Sequence, residues 1–337
     1  MKALPLSLAI GAALLAQPLL RAQDTPAAPE AELPLPDLAK APESPETPHA
    51  AWHTDYQAAL ARAKEQKKHL LIVFTGSDWI PLCRIYDRDI LNQPEFIDSA
   101  SEHYVLVRMD YPKKTPQPPA VAQQNQLFMR AYRISAFPTL MVTDLEGRPY
   151  GVNGYQPVTP ANYAKVIGAM RQSATVRDQY FEKAATATGA EKASLLTKGV
   201  PNLPGNLSAR YYRPQLEEII AHDPQDETGK VGKCKRLLAD VAYSDKMQEL
   251  ESKVEWSEML TVTDAYIAEN GLQGAERQQA LLNKASVYQK QGKLADLIRT
   301  LLEVVAIDAK TPQAQQAQGA LDKLRAKKLQ EELSPRR

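Results

Sequence analysis

Only two cysteines, Cys83 and Cys234, occur in the 337 residues. Two thiols so far apart are no disulfide framework, so the core rather than covalent staples must hold the fold. Neither sign of charge is in excess, with 41 Lys plus Arg against 40 Asp plus Glu. Such a balance leaves no electrostatic footprint for nucleic acid, and no block of like charge forms an interaction tail. The five histidines are scattered. His49 and His53 have helical metal-ligand spacing, but neighbouring Pro48 and the linker context make them a surface pair, and no metal is expected. Gly-x-Ser-x-Gly elbows, phosphate loops and dinucleotide fingerprints are absent, so no cofactor is expected either.

Long apolar runs are equally scarce. The exception is MKALPLSLAIGAALLAQPLLRAQ at the start, with a basic second residue, Pro5 and Pro18, and small residues near Ala22. This layout predicts a secretory signal peptide over 1–22, cut after Ala22. An uncleaved anchor is the rival reading, since the stretch is nearly long enough to span; the two prolines and the polar segment after them favour removal. No cysteine lies near the cut to carry a lipid. The chain is therefore expected to be exported, periplasmic or secreted, with no membrane span after signal removal. Residues 23–50, rich in Pro, Ala and Glu, cannot bury enough apolar surface to offset ordering entropy and read as a semi-extended linker.

From Trp52 the chain is rich in pattern. Residues 55–67 have Tyr56, Leu60 and Ala63 at helical spacing behind a Thr54 or Asp55 cap. HLLIVF (69–74) is the unbroken apolar run of a strand buried on both faces. A helix is predicted from Pro81 to Leu91, another after Pro94, and a strand over YVLVRMD (104–110). A proline-rich loop, a helix over QQNQLFMRAY, a strand in ISAFPTLMVTD, a tight turn, a short strand and a helix over PANYAKVIGAMRQ complete the unit. Strands separated by helices and closed by a hairpin describe an α/β fold with a mixed sheet flanked by helices over 51–173.

Beyond residue 174 the strand signal stops. LEEIIAHDP, VGKCKRLLADVAY and the long segment from Leu281 are amphipathic. Leu281, Ala285 and Tyr288 share a face, and Leu294, Leu297, Ile298, Leu301 and Val305 share another across a break at Gly292. The region 174–331 is thus all-α, with a helical hairpin that loosely fits a tetratricopeptide unit; 332–337 is a tail. Cys234 lies on the apolar stripe Val231, Cys234, Leu238, Val241. Asp223 and Asp226 sit in an interhelical turn with too few acids for a calcium loop. Tyr211 and Tyr212 read as packing residues.

The segment FTGSDWIPLC (74–83), after a buried strand, resembles the thioredoxin superfamily, in which that strand ends in Trp-Cys-x-x-Cys at a helix start. SAFPTL resembles the family's cis-proline loop, so the resemblance implies a cis bond at Pro138. It covers about 51–172 and points to the secreted bacterial branch. On this match Trp79 is the flanking tryptophan, Ile80 holds the place of the attacking cysteine, and Cys83 is the resolving cysteine. Phe137, Pro138 and Thr139 match the substrate-contacting loop, and Phe74 replaces a buried acid that some members carry. Asp78 reads as a helix-entry cap rather than a catalytic acid.

Thiol–disulfide exchange needs a reachable thiolate and a partner to resolve the mixed disulfide. Ile80 cannot ionise, so a dithiol cycle within the motif is impossible. Three roles stay open for Cys83: a buried small hydrophobe, a monothiol that reacts or senses oxidation, or a partner in a bond with Cys234 or another chain. Two functions are compatible with these roles. In the first, the groove of Trp79, Ile80, Pro81, Phe137, Pro138 and Thr139 binds protein or peptide partners in the cell envelope, with the helical region as a second surface. In the second, Cys83 alone serves a thiol–disulfide oxidoreductase or redox sensor.

Overall fold

A computed structural model describes residues 37–42, 47, 49–204 and 206–333. The expected signal peptide, the first part of the linker and the last four residues lie outside them. The described residues fall into two compact units, with the chain passing from one to the other between Lys235 and Arg236.

The first unit is built on a five-stranded sheet. Its strands are β1 (Trp52–His53), β2 (His69–Thr75), β3 (Tyr104–Asp110), β4 (Thr139–Thr143) and β5 (Pro149–Asn153), in the order β1-β3-β2-β4-β5. The first three are parallel to one another, β4 pairs antiparallel with β2, and β5 pairs antiparallel with β4. β1 is an addition to the sequence reading, because two residues are too short to show a period.

Each helix has a local cause. α1 (Tyr56–Gln66) starts on Asp55, whose carboxylate accepts the Ala58 N–H at 3.0 Å. α2 (Pro81–Tyr86) opens on a proline, already lacking the N–H that a first turn leaves unpaired, and continues as a wider π-type turn over Asp87–Leu91. α3 (Pro94–Ser101) and α4 (Pro119–Ala131) begin the same way. α5 (Pro160–Thr186) is capped by the Thr159 hydroxyl.

Alternation along the strands divides the core between the two faces of the sheet. Leu71, Val73, Leu106, Leu140 and Val142 pack with Tyr86, Phe96 and Ile167 from α2, α3 and α5. Leu70, Ile72, Phe74, Val107 and Met109 pack on the other face with Tyr56, Ala59 and Ala63 of α1 and Phe128 of α4. Full burial of such a side chain contributes roughly 1.5–3 kcal/mol.

The unit does not stop where the strands stop. The expected boundary at 173/174 falls inside α5, and α6 (Gly189–Gly199), α7 (Leu207–Tyr211) and α8 (Arg213–His222) come after it within the same unit. Buried Arg177 of α5 donates to Asp144 at 2.9 Å and to the Tyr212 hydroxyl at 2.8 Å. Tyr212 in turn donates to the Pro149 carbonyl at 2.9 Å, closing a polar network onto the β4–β5 turn. Tyr211 stacks on Tyr132 with ring centroids 5.3 Å apart, so both tyrosines are packing residues.

The described part of the Pro/Ala-rich segment is not a free spacer. The Pro42 carbonyl accepts from Arg84, and the Lys40 carbonyl accepts from Arg88 at 3.2 Å, laying residues 37–42 along α2. Asn92 holds the Thr47 carbonyl and the His49 N–H, at 3.2 and 3.1 Å.

α9 (Val231–Ser252) leads into the second unit, which continues with α10 (Trp256–Glu269), α11 (Gly274–Lys290), α12 (Leu294–Ile307) and α13 (Pro312–Leu333). α11 and α12 form the expected hairpin at Gly292, where φ is 71°. Leu281, Ala285, Leu297, Leu301, Ala317 and Leu321 form a core shared with α13, whereas Leu294 is exposed. Buried Gln278 donates to the Val304 and Asp308 carbonyls, both at 2.8 Å, and accepts from Thr311. One side chain thus satisfies the end of α12 and the start of α13. Among the described residues, no helix is long and apolar enough to cross a membrane.

Candidate functional site

β2 and α2 place the motif at the carboxyl end of the central strand. The chain turns between them at Gly76, whose carbonyl accepts the Trp79 and Ile80 N–H groups. A Cβ at Gly76 would lie 2.7 Å from Trp79 Nε1 and 3.1 Å from Ile80 Cδ1, so both side chains fold over this glycine. Trp79 Nε1 donates to the Tyr111 carbonyl at 2.9 Å. Its ring meets Phe137 edge-on at 6.2 Å, and Phe137 stacks on Tyr111 at 5.0 Å. The Phe137–Pro138 peptide is cis.

The structure therefore brings Trp79, Ile80 and Phe137 together as half-buried apolar surface, with Pro81 half-buried beside them and Pro138 buried. The Thr139 hydroxyl donates to the Ala136 carbonyl at 2.7 Å, closing its own loop. Ile80 is the N-cap of α2 and offers no side-chain bond to the helix.

Cys83 lies on the inner face of α2, at 1% exposure. Its sulfur accepts the Gly76 N–H at 3.4 Å. Burial pushes the thiol above its ordinary value; the Thr75 hydroxyl and the Gly76 N–H oppose this, while the charges of Asp87 and Asp110 add to it. Such a thiol is protonated and shielded, the reverse of an activated nucleophile. Cys234 is also buried, with its thiol pushed up by the same cause, and both cysteines are free. A bond between them is not formed.

Asp78 does not cap α2. The cap falls two residues later, and Asp78 instead reaches the proline-rich loop, where it accepts the N–H groups of Lys113, Lys114 and Thr115 at 2.9, 2.7 and 2.7 Å. Burial would raise its carboxyl, but these bonds outweigh it and hold the group below its ordinary value. The loop is thereby fixed beside the motif, with Lys113 Nζ 3.4 Å from the centre of the Trp79 ring.

Sequence reasoning missed the buried pair below α2. Arg108 of β3 donates to both Asp87 oxygens, at 3.1 and 2.5 Å, with side chains 2% and 0% exposed. A signal existed: Arg108 interrupts an otherwise apolar strand, and a buried charge requires a partner. Among the described residues no His, Cys, Asp and Glu cluster could hold a metal. His49 Nδ1 accepts the Ala51 N–H at 3.1 Å, a local turn contact. A crevice of about 240 Å³ between α3 and α5, and another of about 140 Å³ at the β1–β3 edge, both lie away from the motif.

Comparison with known proteins agrees with this architecture. A model of the thioredoxin-like domain matches residues 56–171. Over 117 residues the chain is 35% identical to the disulfide bond reductase DsbH of Chlamydia pneumoniae, covering 34% of this chain and 70% of that protein. The chain belongs to the thioredoxin-like family. It is also 34% identical over 131 residues to the thioredoxin-related protein DsbJ of the same organism, a match that spans 39% of this chain but only 37% of DsbJ. Among solved structures, a DsbH oxidoreductase aligns with a TM-score of 0.35 at 31% identity, over 38% of this chain and 88% of that one. A thioredoxin from Thermus thermophilus aligns with a TM-score of 0.27 at 20% identity, over 36% and 84%. The match to the thioredoxin-like domain ends at residue 171, and the C-terminal helices lie outside it.

Proposed function

We propose that the thioredoxin-like domain binds extended protein or peptide segments without covalent chemistry, as a scaffold or chaperone-like module exported to the cell envelope. One observation carries this reading. The helix-entry position that would hold an attacking sulfur carries Ile80, while the remaining thiol, Cys83, is 1% exposed. With nothing to ionise at position 80, the preserved surface of Trp79, Ile80 and Phe137 serves contact, and the loop through Pro138 offers backbone for strand addition. The helical second unit supplies a further contact surface. Export is supported by the layout of the first 22 residues.

A second reading is a monothiol oxidoreductase or redox sensor acting through Cys83. The name of DsbH, a disulfide bond reductase 35% identical to this chain, favours it. An insulin-reduction assay with dithiothreitol separates the two. The binding reading expects no rate above background, and none that Cys83→Ser removes. A rate abolished by Cys83→Ser would sink it and establish the monothiol.

A further inference from the structure

We infer that the groove takes an acidic occupant: an extended peptide in which a carboxylate side chain stands next to an apolar residue. The inference rests on the proposed binding function and specifies its ligand.

Three carboxylates flank the motif, and each is engaged by donors within the fold. Asp78 accepts three backbone N–H groups from the proline-rich loop. Asp110 accepts from the Ser77 N–H at 3.0 Å, the Ser77 hydroxyl at 2.6 Å and the Tyr111 N–H at 2.9 Å. Asp87 holds Arg108 with both oxygens. Asp87 is paired with a cation, while Asp78 and Asp110 keep their charge but spend their oxygens on donors within the fold, so none of the three offers a free acceptor to a basic side chain.

The cations beside the groove have the opposite disposition. Lys113 and Lys114 are both exposed, on the very loop that Asp78 anchors. Lys113 Nζ rests over the Trp79 ring, whose edge meets Phe137. An ammonium group has three donors, and a ring face satisfies it only electrostatically, so it retains N–H groups for a carboxylate. An acidic side chain paired there sets the neighbouring side chain of an extended chain against Phe137 and Ile80. A basic peptide meets like charge at the same place. Charge at a rim of this kind selects partners and speeds their association more than it adds affinity.

The test uses the full chain and fluorescein-labelled peptides of one length. One alternates Asp or Glu with Leu or Phe, another carries Lys at the acidic positions, and a third carries Gln. Fluorescence anisotropy at low and high salt is expected to rank acidic above neutral above basic, with the ranking flattened by salt. A Lys113→Glu, Lys114→Glu variant should weaken the acidic peptide by about three- to tenfold and improve the basic one. Lys113→Ala alone should give a smaller loss in the same direction, and thermal unfolding should be unchanged in both variants. If all three peptides bind equally and Phe137→Ala weakens all of them, the acidic preference is overturned while the groove stands. If none binds, the groove reading falls, and this inference with it.

Discussion

Replacing Ile80 by cysteine would put a thiol at the N-cap of α2, where the helix's unpaired N–H groups favour a thiolate. If the chain follows the family geometry at this turn, the Ile80→Cys variant should oxidise to an intramolecular bond with Cys83. Loss of two hydrogens by mass spectrometry and quenched Trp79 fluorescence would register it; two thiols that stay reduced under a glutathione buffer would contradict the alignment. Cys83 itself makes a separate prediction from its burial. Its folded pKa lies above the ordinary 9.0. Above that pH the folded state therefore holds a proton that the unfolded chain releases, and stability falls as pH rises towards the folded pKa. A Cys83→Ala variant lacks this loss. The stability gap between native protein and variant, from urea unfolding, should be constant below about pH 8 and shrink above about pH 9. A constant gap across the whole range would show that the thiol is solvated. The tyrosines raised by burial are common to both proteins and cancel in the difference.

The proline-rich loop between β3 and α4 owes its position to one carboxylate. Asp78→Asn keeps the shape but supplies one acceptor oxygen and a donating NH2 group to three backbone N–H groups. The variant should lose about 1–3 kcal/mol, with faster amide exchange at Lys113, Lys114 and Thr115 and a shifted Trp79 emission. For the native protein the carboxyl lies below its ordinary value, so its contribution is present at neutral pH. It disappears as pH falls through the folded pKa. The Asn variant should therefore differ most from native at neutral pH and least in acid. This element also marks the limit of reading the chain alone. Apolar runs and proline starts exposed β2, β3, α2 and α3, because burial on both faces and first-turn geometry leave local signatures. Residues 74–83 likewise announced a helix opening at Pro81, which leaves Ile80 as its N-cap and Cys83 in its first turn. Asp78 was legible only as a cap, since its donors lie 35 to 37 positions away. The partnership of Arg108 with Asp87, and the placing of Lys113 over Trp79, depend on tertiary packing in the same way.

At the scale of the whole molecule, the end of the strand pattern near residue 173 coincides with no structural boundary. Helical periodicity looks the same whether a helix covers a sheet or starts a new unit, so sequence could not tell α5–α8 from the helices after Arg236. The buried network makes the distinction physical. In a fragment ending at residue 173, Asp144 retains Arg148, which donates at 2.8 Å, but loses Arg177 at 2.9 Å. The Pro149 carbonyl also loses the Tyr212 hydroxyl, and Leu207 no longer covers its part of the core with Phe74 and Tyr132. Removing one partner of a buried ion pair costs about 3–5 kcal/mol, a large share of a domain's net stability of about 5–15 kcal/mol. A fragment of residues 37–235 should unfold in one cooperative transition at the midpoint of the corresponding transition in the full chain. A fragment of residues 37–173 should unfold at markedly lower urea and expose apolar surface to a reporter dye. Arg177→Ala in the longer fragment separates the network from the general loss of helical cover. Because it removes the same pair and leaves α6–α8 present, it should reproduce most of the destabilisation; a midpoint like that of the native fragment would assign the effect to apolar burial alone.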